Sequence, residues 1–171
     1  MADFSPMLTA IREACRGALG SVRVVQSNAL RERAYPSTTE HEAARVIVGP
    51  RFEVSVAKTG VSKESPWENS PVRLLDVEVR VRTEWSTKHE LLDDERSAVR
   101  ASALALLEDV RAALMRPGNL TTTASGQSSG LVSGCLHRHS GHSLEREDWQ
   151  RRRLSYVSTY STVMRIAQNA G

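Results

Sequence analysis

The chain lacks most of the features that announce a function. No apolar run among its 171 residues approaches the roughly 18–20 residues that cross a bilayer as a helix. Residues 1–19 carry Asp3 and Glu13 and hold no uninterrupted apolar segment, so they do not read as a secretory signal. The expected compartment is the cytoplasm of the cell that makes the protein. Cysteine is scarce: Cys15 and Cys135 stand far apart without paired spacing, and two reduced, partly buried thiols are expected rather than a disulfide. Lysine is scarcer than its charge class suggests. Of 23 basic residues only Lys58, Lys63 and Lys88 are lysines, leaving 20 arginines. Also missing are a Gly-x-x-x-x-Gly-Lys-Ser/Thr loop and a Gly-x-Gly-x-x-Gly turn, so a nucleotide cofactor has no evident seat.

What is present fits one globular domain. Hydrophobic residues make up 40% and charged residues 25%, an ordinary balance for a packed core with a charged surface. Net charge is only +3, with acids interspersed among the arginines. That mixture suits subunit contacts at least as well as nucleic acid.

The chain opens with a helix over 6–19, with Ser5 as cap, Pro6 in the first turn and Gly20 as stop. Leu8, Ile11, Cys15 and Leu19 give it one apolar face. A short strand is expected over 21–26 and a polar loop over 28–42. Another short strand over 45–48 is expected to end at Gly49-Pro50, and a half-buried one follows through Phe52, Val54 and Val56. Residues 60–71, with Pro66, Asn69 and Pro71, read as a loop in which Trp67 is a candidate partner anchor.

The clearest signal is 77–85, where Val77, Val79, Val81 and Trp85 alternate with charged residues over a period of two. Asp76, Glu78, Arg80, Arg82 and Glu84 form the opposite face, which is either solvated or paired with a neighbouring subunit. A second helix follows, with Thr87 and Glu90 as a capping box or Asp93 or Asp94 as cap. Its stripe is Val99, Ala103, Leu106, Val110 and Leu114, widened by Leu104 and Leu107, and Arg116-Pro117-Gly118 ends it. Residues 117–130 read as a mobile loop with little to bury, 131–139 as a strand with Cys135, His137 and His139 on one face, and 140–152 as a polar connector. Residues 154–166 complete the order as a long strand. The expected fold is α+β, an antiparallel sheet with two main helices packed on one face.

Two clusters invite chemistry. Cys135, His137, His139 and His142 are weak metal-ligand candidates. Without a cysteine pair, and with all four within eight residues of one strand, tetrahedral closure is awkward, so ordinary strand histidines are the preferred reading and no metal or cofactor is expected. Arg151, Arg152 and Arg153 form the densest basic cluster and are candidates for sequence-blind DNA or partner contact. Glu145, Glu147 and Asp148 beside them favour a salt-bridged loop. No catalytic set emerges, and a non-enzymatic domain is expected.

The element order resembles the tail terminator proteins of long-tailed phages, which are grouped with minor tail and tail-completion proteins. The likeness rests on the amphipathic N-terminal helix and on the strand that leads into the helix ending Asp109-Val110-Arg111-Ala112-Ala113-Leu114. It rests also on Gly130-Leu131-Val132-Ser133-Gly134 and on the strand with Tyr156-Val157-Ser158-Thr159-Tyr160. It implies a non-enzymatic virion protein without a cofactor and without membrane contact. Such a protein forms a homo-oligomeric, typically hexameric, ring on the head-proximal end of the tail tube. The ring stops tube polymerisation and meets tube and neck or connector proteins. The face carrying Asp76, Glu78, Arg80, Arg82 and Glu84 would then line a subunit contact or a DNA-conducting lumen. A head–tail connector is the alternative, and a metal-dependent enzyme built on Cys135–His142 a more distant one. The loops at 28–42, 60–71 and 140–152 are long for a compact member of the family.

Overall fold

The computed structural model describes residues 2–18, 47–66, 70–87 and 90–167. The expected strand at 21–26, the loop at 28–42 and Trp67 lie outside the described residues. The elements are helix α1 (Ser5–Ala18), strands β1 (Ile47–Val61) and β2 (Val72–Thr87), helix α2 (Asp93–Met115), a 3₁₀ turn (Val132–Gly134), and strands β3 (Arg138–Asp148) and β4 (Arg153–Ala167). The strands form one antiparallel sheet of order β1-β2-β4-β3. Both helices pack on one face of it, as the α+β expectation required.

β2 sits inside the sheet, paired with β1 and β4 along nearly its whole length. Its alternation is realised in full: Val77, Val79, Val81, Thr83 and Trp85 are buried. α1 brings Met7, Ile11 and Cys15 onto Val54, Val77, Val79 and Val81. α2 covers the rest with Val99, Ala103, Leu106 and Leu107 against Trp85, Leu154 and Tyr156, and with Val110 and Leu114 farther along. The Trp85 and Tyr156 rings meet edge to face, 6.4 Å between centroids.

Several local expectations are corrected. Ser5 is the first helical residue of α1 rather than its cap, and the Asp3 carboxylate accepts its N–H at 2.9 Å. That bond holds the Asp3 carboxyl below its usual range. Gly49-Pro50 does not end a strand. β1 runs through it, with a register shift between Val48 and Arg51, as an edge strand allows where a proline has no N–H to contribute. Gly60 and Val61 still belong to β1, which shortens the loop expected at 60–71.

α2 starts at Asp93, not at Thr87, which closes β2. Half of a capping box remains, with the Leu92 N–H donating to the Glu95 carboxylate at 3.3 Å. Asp93 and Asp94 lie in the first turn, where their charge favours the helix N-terminus. Leu104 does not widen the apolar stripe; it is 40% exposed.

Residues 117–130 are ordered rather than loose. Leu120, Thr123 and Ser129 are buried, Leu120 N–H donates to the Gly134 carbonyl at 2.7 Å, and Leu136 N–H donates to Leu114. Gly134 makes this possible, because its φ is positive and a side chain there would strike Thr121. The positive φ at Ser133 and Gly134 also breaks the strand expected at 131–139: a 3₁₀ turn takes Val132–Gly134, Cys135 and Leu136 are buried, and strand begins only at Arg138. The polar connector expected at 140–152 is in fact mostly strand, because β3 extends to Asp148.

Replacing Leu114, which has no exposed surface, with alanine should lower unfolding stability by about 2–5 kcal/mol. Leu104→Ala should stay within about 0.5 kcal/mol of the parent. Urea denaturation followed by circular dichroism checks both.

Candidate interaction surface

With both helices on one side, the other face of the sheet has no helix over it among the described residues. Antiparallel register places its side chains. Arg51 lies opposite Glu84, Glu53 opposite Arg82, Ser55 opposite Arg80 and Lys58 opposite Glu78. Three of these four cross-strand pairs join opposite charges, the arrangement that supports a sheet. β4 contributes Ser155, Val157, Thr159 and Ser161 between β2 and β3.

Arg82 is the centre of this face. Its Nη1 lies 3.5 Å from Glu53 on β1, its Nη2 3.3 Å from Glu84 on β2, and its Nε donates to Glu145 on β3 at 2.7 Å. The side chain therefore reaches across β4 and ties three strands together. Glu145, first through its hydrogen bond and charge and then with Glu84 and Glu53, holds the guanidinium proton above even the usual arginine range. Arg153 continues the network, 3.6 Å from Glu84. Ser155, opposite Glu84, has no exposed surface although it stands on this face. Arg80 pairs with Glu78 at 3.6 Å, and Asp76 is exposed. The five residues singled out in the strand thus share one face. Asp76 and Glu78 line a shallow groove of about 560 Å³ there with Lys58, His137, Arg138 and Ser161, and Arg82 and Glu84 line a second of about 360 Å³ with Arg51, Glu53 and Arg153.

Arg151 and Arg152 occupy the turn between β3 and β4, and Arg153 opens β4. Arg151 Nε is 3.7 Å from Asp148, whose carboxylate also accepts the Arg151 N–H. Arg152 adopts a left-handed φ of 57°, and its carbonyl accepts the Thr87 N–H at 3.0 Å. Carboxylates thus sit among these arginines, as in the salt-bridged reading of the loop.

The four metal-ligand candidates are not brought together. Cys135 is buried, with its carbonyl accepting from Thr162. His137 lies by the groove and donates through Nε2 to the Val132 carbonyl at 3.0 Å. His139 and His142 point to the helix side, with ring centroids 4.4 Å apart. Among the described residues, no group of three or more histidine, cysteine, aspartate or glutamate side chains could hold a metal ion.

The two helix-side histidines form a polar seam that sequence reasoning missed. His142 Nε2 lies 3.0 Å from Glu108 of α2, and Nδ1 lies 2.7 Å from the Ser158 hydroxyl. A carboxylate can only accept, so Nε2 carries hydrogen, and the Ser158 hydroxyl can either give or take the hydrogen in its bond to Nδ1. The order Ser–His–Glu matches a hydrolase relay, but Ser158 is 1% exposed in the middle of a strand and offers a substrate no approach. The relay is a tie between α2 and β3. Arg111, then His142, holds the Glu108 carboxyl below its usual range. Beside the tie, His139 stacks on Tyr160 at 4.8 Å. Burial, then the charges of His142 and Arg111, depresses the His139 pKa. Burial also pushes the Cys15 thiol up to about 12 and the Tyr160 hydroxyl up, so both stay neutral here.

Signals for the missed partners were uneven. Arg51 and Glu53 share the period of two that marked Phe52 and Val54. Glu145 carried no such mark, because β3 bulges between Leu144 and Arg146 and the alternation is lost. No protein-family model and no curated protein matches the chain.

A histidine with a depressed folded-state pKa takes up its proton more readily when unfolded. Its contribution to stability is therefore full above the ordinary value of 6.5 and is lost as pH falls below it. The melting temperature should drop between about pH 7.5 and about pH 5.5, and His139→Gln should flatten that slope. A thermal melt series across pH checks it.

Proposed function

We propose that the chain is a structural virion protein of the tail-terminator type. It forms a ring at the head-proximal end of a phage tail tube, stops tube polymerisation and joins tail to head. The observation that supports this reading is the charge-paired face of the sheet, over which no helix lies among the described residues. That face offers charged side chains from three strands to a neighbour, whereas the Ser158 hydroxyl of the histidine seam is buried. A ring built from such a domain uses heterologous contacts, one patch against a different patch.

The partners in this reading are further copies of the chain, the tail tube protein and a neck protein. The row Asp76, Glu78, Arg80, Arg82 and Glu84 meets a neighbour or borders the lumen. Carboxylates interrupt its arginines, so DNA passing along it finds no continuous cationic track and is not gripped, since firm non-specific binding needs many phosphate contacts at once.

Sedimentation velocity and negative-stain imaging of the purified protein at rising concentration should give one closed ring. Immunolabelling of virions should mark the head-proximal end of the tail. A monomer at every concentration together with absence from virions overturns the reading, and labelling at the portal instead assigns the ring to a neck adaptor. Charge reversal at Asp76, Glu78, Arg80, Arg82 and Glu84 should raise the concentration needed for assembly by at least about tenfold if the row is a contact. Indifference to all five reversals makes that face a solvated one.

A further inference from the structure

We infer that the two outer edges of the sheet recognise each other between copies, β3 of one subunit pairing with β1 of the next. The inference rests on the ring assembly proposed above and names the contact that builds it.

Strand parity allows the pairing. The order β1-β2-β4-β3 is antiparallel throughout, so the two edge strands run in opposite directions. A copy placed by rotation about a ring axis therefore brings its β1 antiparallel to β3, the direction that strand addition needs. Among the described residues, neither outer edge has a strand partner.

Register then follows from side-chain facing. Val54 and Leu144 both point to the helix side, opposite Val81 and Tyr156 respectively. Leu144 is 51% exposed, an apolar side chain at an edge with nothing yet to cover it. Set against Val54 of the next copy, it loses that exposure. Counting outward from this pair, and passing the extra residue at the Glu145 bulge, Arg146 falls opposite Glu53 and Asp148 opposite Arg51. In the other direction Ser143 meets Ser55 and His142 meets Val56. The bulge in β1 between Val56 and Lys58 and the one in β3 between His139 and Gly141 then fall next to each other, so both strands keep their faces in phase.

The charges agree with that register. Arg51 and Arg146 form no ion pair with any described residue, and each gains a carboxylate from the other edge. Glu53, 73% exposed along its side chain, keeps room for a second arginine beside Arg82. Apolar cover for Leu144 and two new ion pairs thus come from one alignment.

The test uses the full chain. Ser55→Cys and Ser143→Cys variants are prepared separately, mixed and oxidised with copper phenanthroline. A disulfide-linked dimer should form in the mixture and not in either variant alone, and the double variant should give a ladder of linked rings. The native thiols are 0% and 4% exposed and should stay silent. Arg146→Glu should weaken association at least about tenfold, and adding Glu53→Arg in the same chain should restore it. Linked dimers in either variant alone point to two-fold pairing and overturn the inference. A ring by sedimentation without the mixed crosslink overturns it and leaves the ring reading standing. A monomer throughout, with the protein absent from virions, overturns both.

Discussion

The position of β2, an alternating strand hydrogen-bonded on both sides, governs the rest of the molecule. A slip of one residue would bury Asp76, Glu78, Arg80, Arg82 and Glu84 and expose Val77, Val79, Val81 and Trp85. Burying each of those apolar side chains contributes about 1.5–3 kcal/mol, whereas an exposed ion pair contributes about 0.2–1 kcal/mol. The apolar face therefore sets the register, and the charged face follows from it. Once β2 is placed, Val54 must lie beside Val81 and Ser158 on β4 must lie on the other side of it. α1 and α2 then have one surface on which to bury their stripes.

The charged lattice is a consequence of that register, but it has an effect of its own. Arg82 reaches β1 and β3 from β2, so an element in the middle of the sheet holds an edge strand with which it shares no backbone bond. On the helix side, Glu108–His142–Ser158 grips the same edge strand. Farther along, Arg100 meets Glu147 at 3.3 Å. β3 has few apolar residues to bury, so polar ties on both faces do for it what packing does for β2. His139, held below its usual pKa chiefly by burial, accordingly lies on β3 and not in the valine core.

The same difference explains what could be read from the residues beforehand. β2, β4 and α2 bury one face each, so period two and period 3.6 stand out in their sequences. β3 is exposed on much of both faces and bulged twice, so neither an apolar alternation nor an unbroken period survives to mark it. The strand expected at 131–139 failed for the opposite reason. Leu131, Cys135 and Leu136 are buried as a strand would bury them, but Ser133 and Gly134 take positive φ and turn the chain. The face of Asp76, Glu78, Arg80, Arg82 and Glu84 was legible as a face because alternation defines it. Its partners Glu53 and Glu145 depend on strand order, which no local pattern encodes.

Strand order also bears on how the edges behave. Open edges invite indiscriminate pairing, and proteins blunt them with bulges, charges and proline. Here β1 carries Pro50, two register shifts and charges at Arg51, Glu53 and Lys58, while β3 carries two bulges with Arg138, Arg146 and Asp148. A flat foreign strand meets mismatched bulges and unpaired charges on either edge. The opposite edge of another copy, in the proposed register, meets matched bulges and brings carboxylates to Arg51 and Arg146. Features that guard against aggregation are then the same ones that select a single partner, and selection by mismatch is how specificity is reached when the attractive terms are individually small.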